Sequence, residues 1–313
     1  MAADCNVASV ITPDQAVDAI NDRFGRHPGC RALHAKGILV AGTFTATPDG
    51  ARLTRARHMQ GEPVRATVRF SNAAGDPDEP DYRTDVRGMA TKLYLPDDTR
   101  TDIVAQTSAR FPARTPDGFI EFIKAAEPGV HVAWRLPWFF ARHREALAGL
   151  RTAAAAVKPP ASYATMRYYA IHAFRWVDAD GGARHVRYRW VPEAGVQTLG
   201  GKEAKERGRD YLQDEIRERV ERGPVRFTLE LQIVPAGDDV DDPTSPWRDD
   251  AETIAGATLE LTGPETGRET GGDVLVFDPT RVPDGIELTD DPVLRFRADA
   301  YAASIERRSG ATR

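Results

Sequence analysis

The amino-acid sequence predicts an α+β fold built on an antiparallel sheet or barrel. Val64, Ala66, Val68 and Phe70 alternate with Arg65, Thr67, Arg69 and Ser71, the period of a strand with one apolar and one polar face. Tyr168 to Val177 and His185 to Val191 flank Asp178-Ala-Asp-Gly-Gly182, which reads as a hairpin with a Gly-containing loop. Many strands at modest spacing, with helices inserted in blocks, complete the pattern.

The elements follow in chain order. Thr12-Pro13-Asp14-Gln15 supplies an N-cap, a proline at the first helical position and a capping-box glutamine. Val17, Ile20 and Phe24 line one face of that helix, and Gly25 ends it. Leu33 to Thr47 is rich in β-branched residues and closes at the turn signature Pro48-Asp49-Gly50. Met89 to Leu95 and Thr101 to Thr107 are further short strands. Thr115-Pro116-Asp117 opens a helix through Glu127, and Trp138 to Val157 is a second, Ala-rich helical stretch. Lys202 to Arg222 reads as one strongly charged helix with a solvated face. Val225 to Val234, Ala257 to Thr262 and Asp273 to Phe277 alternate as strands, and Asp238 to Asp250 reads as an acidic, solvated linker. No internal repeat or low-complexity linker divides the chain, so residues 1–313 are expected to form one domain, with 1–25 as a helical N-terminal arm.

Composition narrows the function. Lys and Arg total 42 against 47 Asp and Glu, a formal charge of -5, where a general nucleic-acid binder needs a basic face. No apolar run approaches the ~18 residues of a membrane span. The start, Met1-Ala-Ala-Asp-Cys-Asn, has an acid where a secretory signal needs bases. Cys5 and Cys30 allow at most one bridge, so no disulfide framework is expected. The expected location is the cytoplasm, with neither nucleic acid nor membrane as partner.

The C-terminal helix is the most informative element. Asp291 can cap it, Pro292 suits its first turn, Arg307 and Arg308 lie near its negative end, and Gly310 stops it. Arg297, Tyr301, Ser304 and Arg308 fall at i, i+4, i+7 and i+11, one stripe of the helix. Ala298, Ala300, Ala302 and Ala303 surround the tyrosine, so a flat partner can approach the backbone closely. A guanidinium one turn away stabilises negative charge on a phenol oxygen, which makes a hard ligand suited to Fe(III). Taken without the rest of the chain, the pair is an ordinary surface arginine beside a core tyrosine.

The rest of the chain changes that reading. Arg31-Ala-Leu-His34-Ala-Lys-Gly37 is followed by Val68-Arg-Phe-Ser-Asn72, Asp85-Val-Arg-Gly-Met-Ala-Thr-Lys92, Asp102-Ile-Val-Ala-Gln-Thr107 and Phe119-Ile-Glu-Phe122. His172-Ala-Phe-Arg-Trp-Val-Asp-Ala-Asp-Gly181, Phe277-Asp-Pro and Pro283-Asp-Gly-Ile286 then precede Arg297-Ala-Asp-Ala-Tyr301. This ordered series, from about Arg31 to Arg308, resembles the catalase superfamily, and most closely its small branch, the catalase-related peroxidases.

The resemblance implies an antiparallel β-barrel of about eight strands with helices packed outside, and haem b as cofactor. Tyrosine is the known axial haem ligand of catalase, which is the source of the assignment to Tyr301. By the same match, His34 is the distal acid–base histidine, Ser71 hydrogen-bonds its imidazole, and Arg297 is the charge partner of Tyr301. Arg31, Arg69 and Arg308 match residues at the haem propionates, and Phe119 packs on the haem face. Two positions depart from the family pattern: Gln106 stands at the distal asparagine, and Leu33 replaces the usual valine before the distal histidine. The other histidines (His27, His58, His131, His143, His172 and His185) read as surface or hydrogen-bonded structural residues. The chain is also shorter than full-size catalases, so the resemblance leaves their buried channel and nicotinamide site open.

The expected function is reduction of hydrogen peroxide or an organic hydroperoxide by an organic electron donor, with weak catalase activity. Rearrangement or dehydration of a lipid hydroperoxide, and a haem-binding peroxide sensor, are the alternatives. Assembly with further copies of the chain stays open.

Overall fold

The computed structural model describes residues 11–149, 154, 156–265 and 275–309. Eight strands form its centre: β1 (Gly37–Ala46), β2 (Val64–Asn72), β3 (Arg87–Tyr94), β4 (Arg100–Gln106), β5 (Tyr168–Val177), β6 (Ala183–Pro192), β7 (Val225–Ile233) and β8 (Thr253–Pro264). They run antiparallel in the order β4-β3-β2-β1-β8-β7-β6-β5, and the barrel closes where Gln106 pairs with Tyr169. A ninth strand, β9 (Ile286–Leu288), pairs with the far half of β5 and was not foreseen in the sequence.

The interior is filled by one set of alternating side chains, among them Phe44, Val68, Phe70, Met89, Leu93, Tyr168, Trp190, Phe227 and Leu259, all buried. The expected polar face of β2 is present, and most of it is covered as well: Thr67, Arg69 and Ser71 are buried, while Arg65 is exposed. On that same face Lys92 and Asp102, Cα partners across β3 and β4, form an ion pair with almost no exposure. The segment after Leu275 covers them: Arg281 bonds Asp102 at 3.0 Å, the Asp278 N–H donates to Asp102 Oδ2 at 3.1 Å, and Lys92 Nζ lies 5.2 Å from the Phe277 ring centroid. Covering both faces of the wall allows polar groups on the outer face to work away from bulk water.

Eight described helices surround the strands: α1 (Pro13–Phe24), α2 (Pro48–Ala51), α3 (Pro116–Ala125), α4 (Val132–Arg142), α5 (Arg144–Ala148), α6 (Gly201–Glu206), α7 (Tyr211–Arg222) and α8 (Pro292–Ser309). The capping box at Thr12 and Gln15 forms as expected, and Thr115 caps α3. Arg307 of α8 reaches Asp14 and Asp18 of α1, and Arg23 of α1 donates to the carbonyls of Ile123 and Ala126 at the end of α3. These contacts tie α1, α3 and α8 into one layer. Buried Leu212, Ile216 and Val220 of α7 join the core.

Several expectations need correction. The first strand begins at Gly37 rather than Leu33, because His34 has φ +56°, outside strand geometry. Pro48–Ala51 is a short helix capped by Thr47, not a turn. The second helical stretch starts at Val132 and breaks at His143, and the Gly201–Arg222 region is two helices separated at Gly208, φ +105°. Leu275–Phe277 is not a strand, and Asp273 lies outside the described residues. Residues 238–250 are not a solvated linker: Asp242, Pro243 and Thr244 are buried, and the segment's carbonyls take up the buried Arg187 guanidinium. Cys5 and Gly310 lie outside the described residues.

The Lys92–Asp102 pair gives a stability test. Asp102→Ala leaves a buried ammonium without its carboxylate, so a loss of about 3–5 kcal/mol is expected. Urea unfolding of the purified variant measures it; a loss below about 1 kcal/mol would show that Lys92 finds another partner.

Candidate active site

Two groups of side chains carry the expected site residues, one on α8 and β5 and the other on β2, β3 and β4. The first starts at the helix. Asp291 caps α8 through Oδ1, which accepts from the N–H groups of Val293 and Leu294 at 2.8 and 3.1 Å. Its second oxygen, Oδ2, lies 2.6 Å from Nδ1 of His172 on β5. Arg297 Nη1 lies 3.0 Å from His172 Nε2, and the same guanidinium donates to Tyr301 Oη through Nε at 2.9 Å and Nη2 at 2.7 Å.

Arginine has only donors, so Nε2 of His172 must accept and Nδ1 must carry the proton given to Asp291. Burial holds His172 below its ordinary pKa although Asp291 opposes that shift, consistent with a neutral ring. The phenol oxygen receives two N–H groups from this one guanidinium. The expected Arg297–Tyr301 pair is present. His172 and the second role of Asp291 were missed: Asp291 read only as a cap, and the His172–Arg297 contact spans 125 residues.

The second group sits on the barrel. Ser71, Gly88 and Gln106 are successive Cα partners across β2, β3 and β4, so their side chains share one face. His34, in the segment before β1, lays its ring over this row, with Nδ1 2.9 Å from Ser71 Oγ. Gly88 makes room for it: a Cβ there would meet Ser71 Oγ at 2.7 Å and His34 Nδ1 at 2.8 Å. Lys36, two residues on, anchors the segment through a buried ion pair to Asp81 at 2.8 Å and a second pair to half-exposed Asp210 at 2.6 Å. Burial, then the charges of Arg69, Arg297 and Arg31, push the His34 pKa down to about 3. Its ring is thus a neutral imidazole, and the Arg297 charge is among those that reach it.

The remaining expected residues divide. Arg31 and Arg308 line one cavity of about 270 Å³ between α1, the loop after it and α8, together with Ser304 of the Tyr301 stripe. Arg69 does not line that cavity; its Nη1 and Nη2 donate to the carbonyls of His34 and Ala35 at 2.8 and 3.1 Å. Leu33, Phe119 and Phe296 pack with Ala16 and Ile20 of α1 in one apolar cluster, and Phe119 lies 4.7 Å from Phe111. Gln106 is on the His34 side, but its amide nitrogen contacts the Ser108 carbonyl at 3.4 Å. His58 is buried and its Nδ1 has no partner among the described residues, so it is not a surface residue.

A family sequence model described as Catalase matches residues 17–312. A catalase-related peroxidase of Mycolicibacterium paratuberculosis is 48% identical over 303 residues, 97% of this chain and 96% of that protein. The chain belongs to the catalase family. Another catalase-related peroxidase, from Synechococcus elongatus, is 32% identical over 96% of this catalase-family chain and 90% of its own length. A fungal catalase crystal structure shares the fold, with TM-score 0.80 at 23% identity, over 95% of this chain and 62% of that one. Membership makes the chain an oxidoreductase acting on peroxide, and haem is the family's cofactor.

The residues fit that cofactor. Among the described residues no group of three or more His, Cys, Asp or Glu is arranged to hold a metal ion. A metal held at Tyr301 must therefore bring most of its ligands with it, as a porphyrin does. The phenol's donor pair, the alanines around it and the arginine-lined cavity beside it suit a flat dianionic group.

The buried histidines predict a pH dependence of stability. His34 has its pKa lowered to about 3, His58 to about 4, and His172 is lowered too, all first by burial. The unfolded chain binds these protons near pH 6.5 and the folded chain only well below it. Stability present above about pH 6.5 is thus lost as pH falls toward 4, at about 1.4 kcal/mol per pH unit for each titrating ring. Tm measured from pH 7 to 4 should fall, and less steeply in His58→Phe; equal slopes would remove His58 from this account.

Proposed function

We propose that this chain is a haem b-dependent peroxidase, one catalase-like domain over residues 1–313, located in the cytoplasm. It reduces hydrogen peroxide or an organic hydroperoxide with an organic electron donor and evolves oxygen only weakly. The observation that carries this reading is the phenol oxygen held by two Arg297 N–H groups, in a chain that also holds a neutral imidazole, His34, against Ser71. The peroxidase names of its full-length relatives support the same choice.

Tyr301 would hold the iron through Oη, Arg31 and Arg308 the propionates, and Phe119 one face of the ring. When bound, haem supplies the redox centre that takes oxidising equivalents from peroxide and passes them to the donor. Arg297 keeps Tyr301 Oη directed and negatively polarised, while His172 and Asp291 keep Arg297 in place. His34 moves the proton: in the tautomer whose Nδ1–H donates to Ser71 Oγ, the bare Nε2 accepts it from one peroxide oxygen and returns it to the other. The leaving oxygen departs as water or alcohol. Such proton transfer contributes typically ~10²–10⁴ in rate. Oxygen evolution also requires a second peroxide held between His34 and the side chain at position 106. The Gln106 amide is a methylene longer than asparagine and turns to Ser108, so that peroxide is poorly held.

Two measurements test the reading. His34→Ala should keep its haem but react with peroxide at least about 10²-fold more slowly in stopped flow. An unchanged rate would remove His34 as the proton carrier. Oxygen evolution and chromogenic-donor oxidation, compared per haem, should give a high peroxidase-to-catalase ratio that falls in Gln106→Asn. A wild type that evolves oxygen as fast as full-size catalases without oxidising donors would contradict it.

A further inference from the structure

His34 carries positive φ, +56°, on a residue with a Cβ. Such backbone persists only where the surroundings over-determine it. Here the N–H groups are pinned on one side: His34 donates to the Ala73 carbonyl at 3.0 Å and Ala35 to the Ala74 carbonyl at 3.1 Å. On the other side, the carbonyls of these same two residues both accept from the Arg69 guanidinium.

We propose that Arg69 is a positioning residue for the distal histidine, fixing the left-handed backbone of His34 and hence the direction in which its imidazole projects. This rests on His34 being the proton carrier. A guanidinium is suited to the task because its planar fork presents two charged donors at fixed spacing. The sequence reserves the space: a Cβ on Gly37 would lie 2.6 Å from Arg69 Cζ and 2.7 Å from Nη2. Arg69 itself is 3% exposed and lies two residues from Ser71 on the same face of β2. Ser71 orients the ring through Nδ1, whereas Arg69 orients the backbone from which the ring hangs.

The test is a double-mutant cycle on the haem-loaded full chain, with Arg69→Met, His34→Ala and the double variant. Haem content, the bimolecular rate with hydrogen peroxide, and amide hydrogen exchange at His34 and Ala35 are measured. Arg69→Met should exchange both amides at least about tenfold faster and, counted per bound haem, react about 10²-fold more slowly, as expected for misplacement by about 1 Å. In the His34→Ala background the same substitution should change the rate less than about threefold, because it acts through a ring no longer present. Effects that multiply, or an Arg69→Met variant that loses haem while reacting normally per haem, would overturn the inference. Should Arg69→Met fail to fold, Arg69→Lys serves in the same cycle: it keeps the charge but loses the planar fork that sets the spacing of the two donors. A loss of about tenfold that disappears without His34 supports the proposal, and wild-type rate and exchange contradict it. If His34→Ala itself reacts at the wild-type rate, the assignment of His34 fails, and this inference with it.

Discussion

Arginine can only donate hydrogen bonds, and that constraint orders the whole proximal side of this site. Because Arg297 offers N–H groups in every direction, His172 must present a bare nitrogen to it, and Asp291 must take the proton on the other side of the ring. The phenol oxygen of Tyr301 is left facing two donors. Asp291 also caps α8, so the helix that carries Arg297 and Tyr301 starts on the same carboxylate that orients their partner. Helix register and proton direction are thus set by one residue.

The barrel solves the complementary problem of fixing an imidazole on its outer face. Closure at Gln106 and Tyr169 fixes the register in which Ser71, Gly88 and Gln106 form a row. Two absent side chains matter as much as those present. Gly88 leaves room for the His34 ring, and Gly37 leaves room for the guanidinium that bonds its backbone. Neither glycine is needed by the interior of the barrel; both serve the outer face, which the 32–36 segment covers. Burial there makes a neutral His34 the stable form, so the same desolvation that supports the chemistry lowers stability in acid.

Much of this was legible in the sequence where the information is local. Thr12, Thr115 and Asp291 mark helix starts through side-chain bonds to residues three or fewer positions away. Arg297 and Tyr301 share a helical stripe, so their contact could be read from spacing alone. His172 could not be read that way, because its partners lie 119 and 125 residues away. The break at Gly208 and the late start of β1 depend on positive φ, at which alternation of apolar residues gives no warning. The propionate role expected for Arg69 came from resemblance; the bonds to His34 and Ala35 come from the fold.

The central claim is that Tyr301 is the group on which the cofactor rests. The most direct measurement is the optical spectrum and haem content of the purified wild type beside Tyr301→Phe. A high-spin ferric, tyrosinate-ligated spectrum that is lost in the variant is the predicted result. An unchanged spectrum with full haem content in Tyr301→Phe would contradict it.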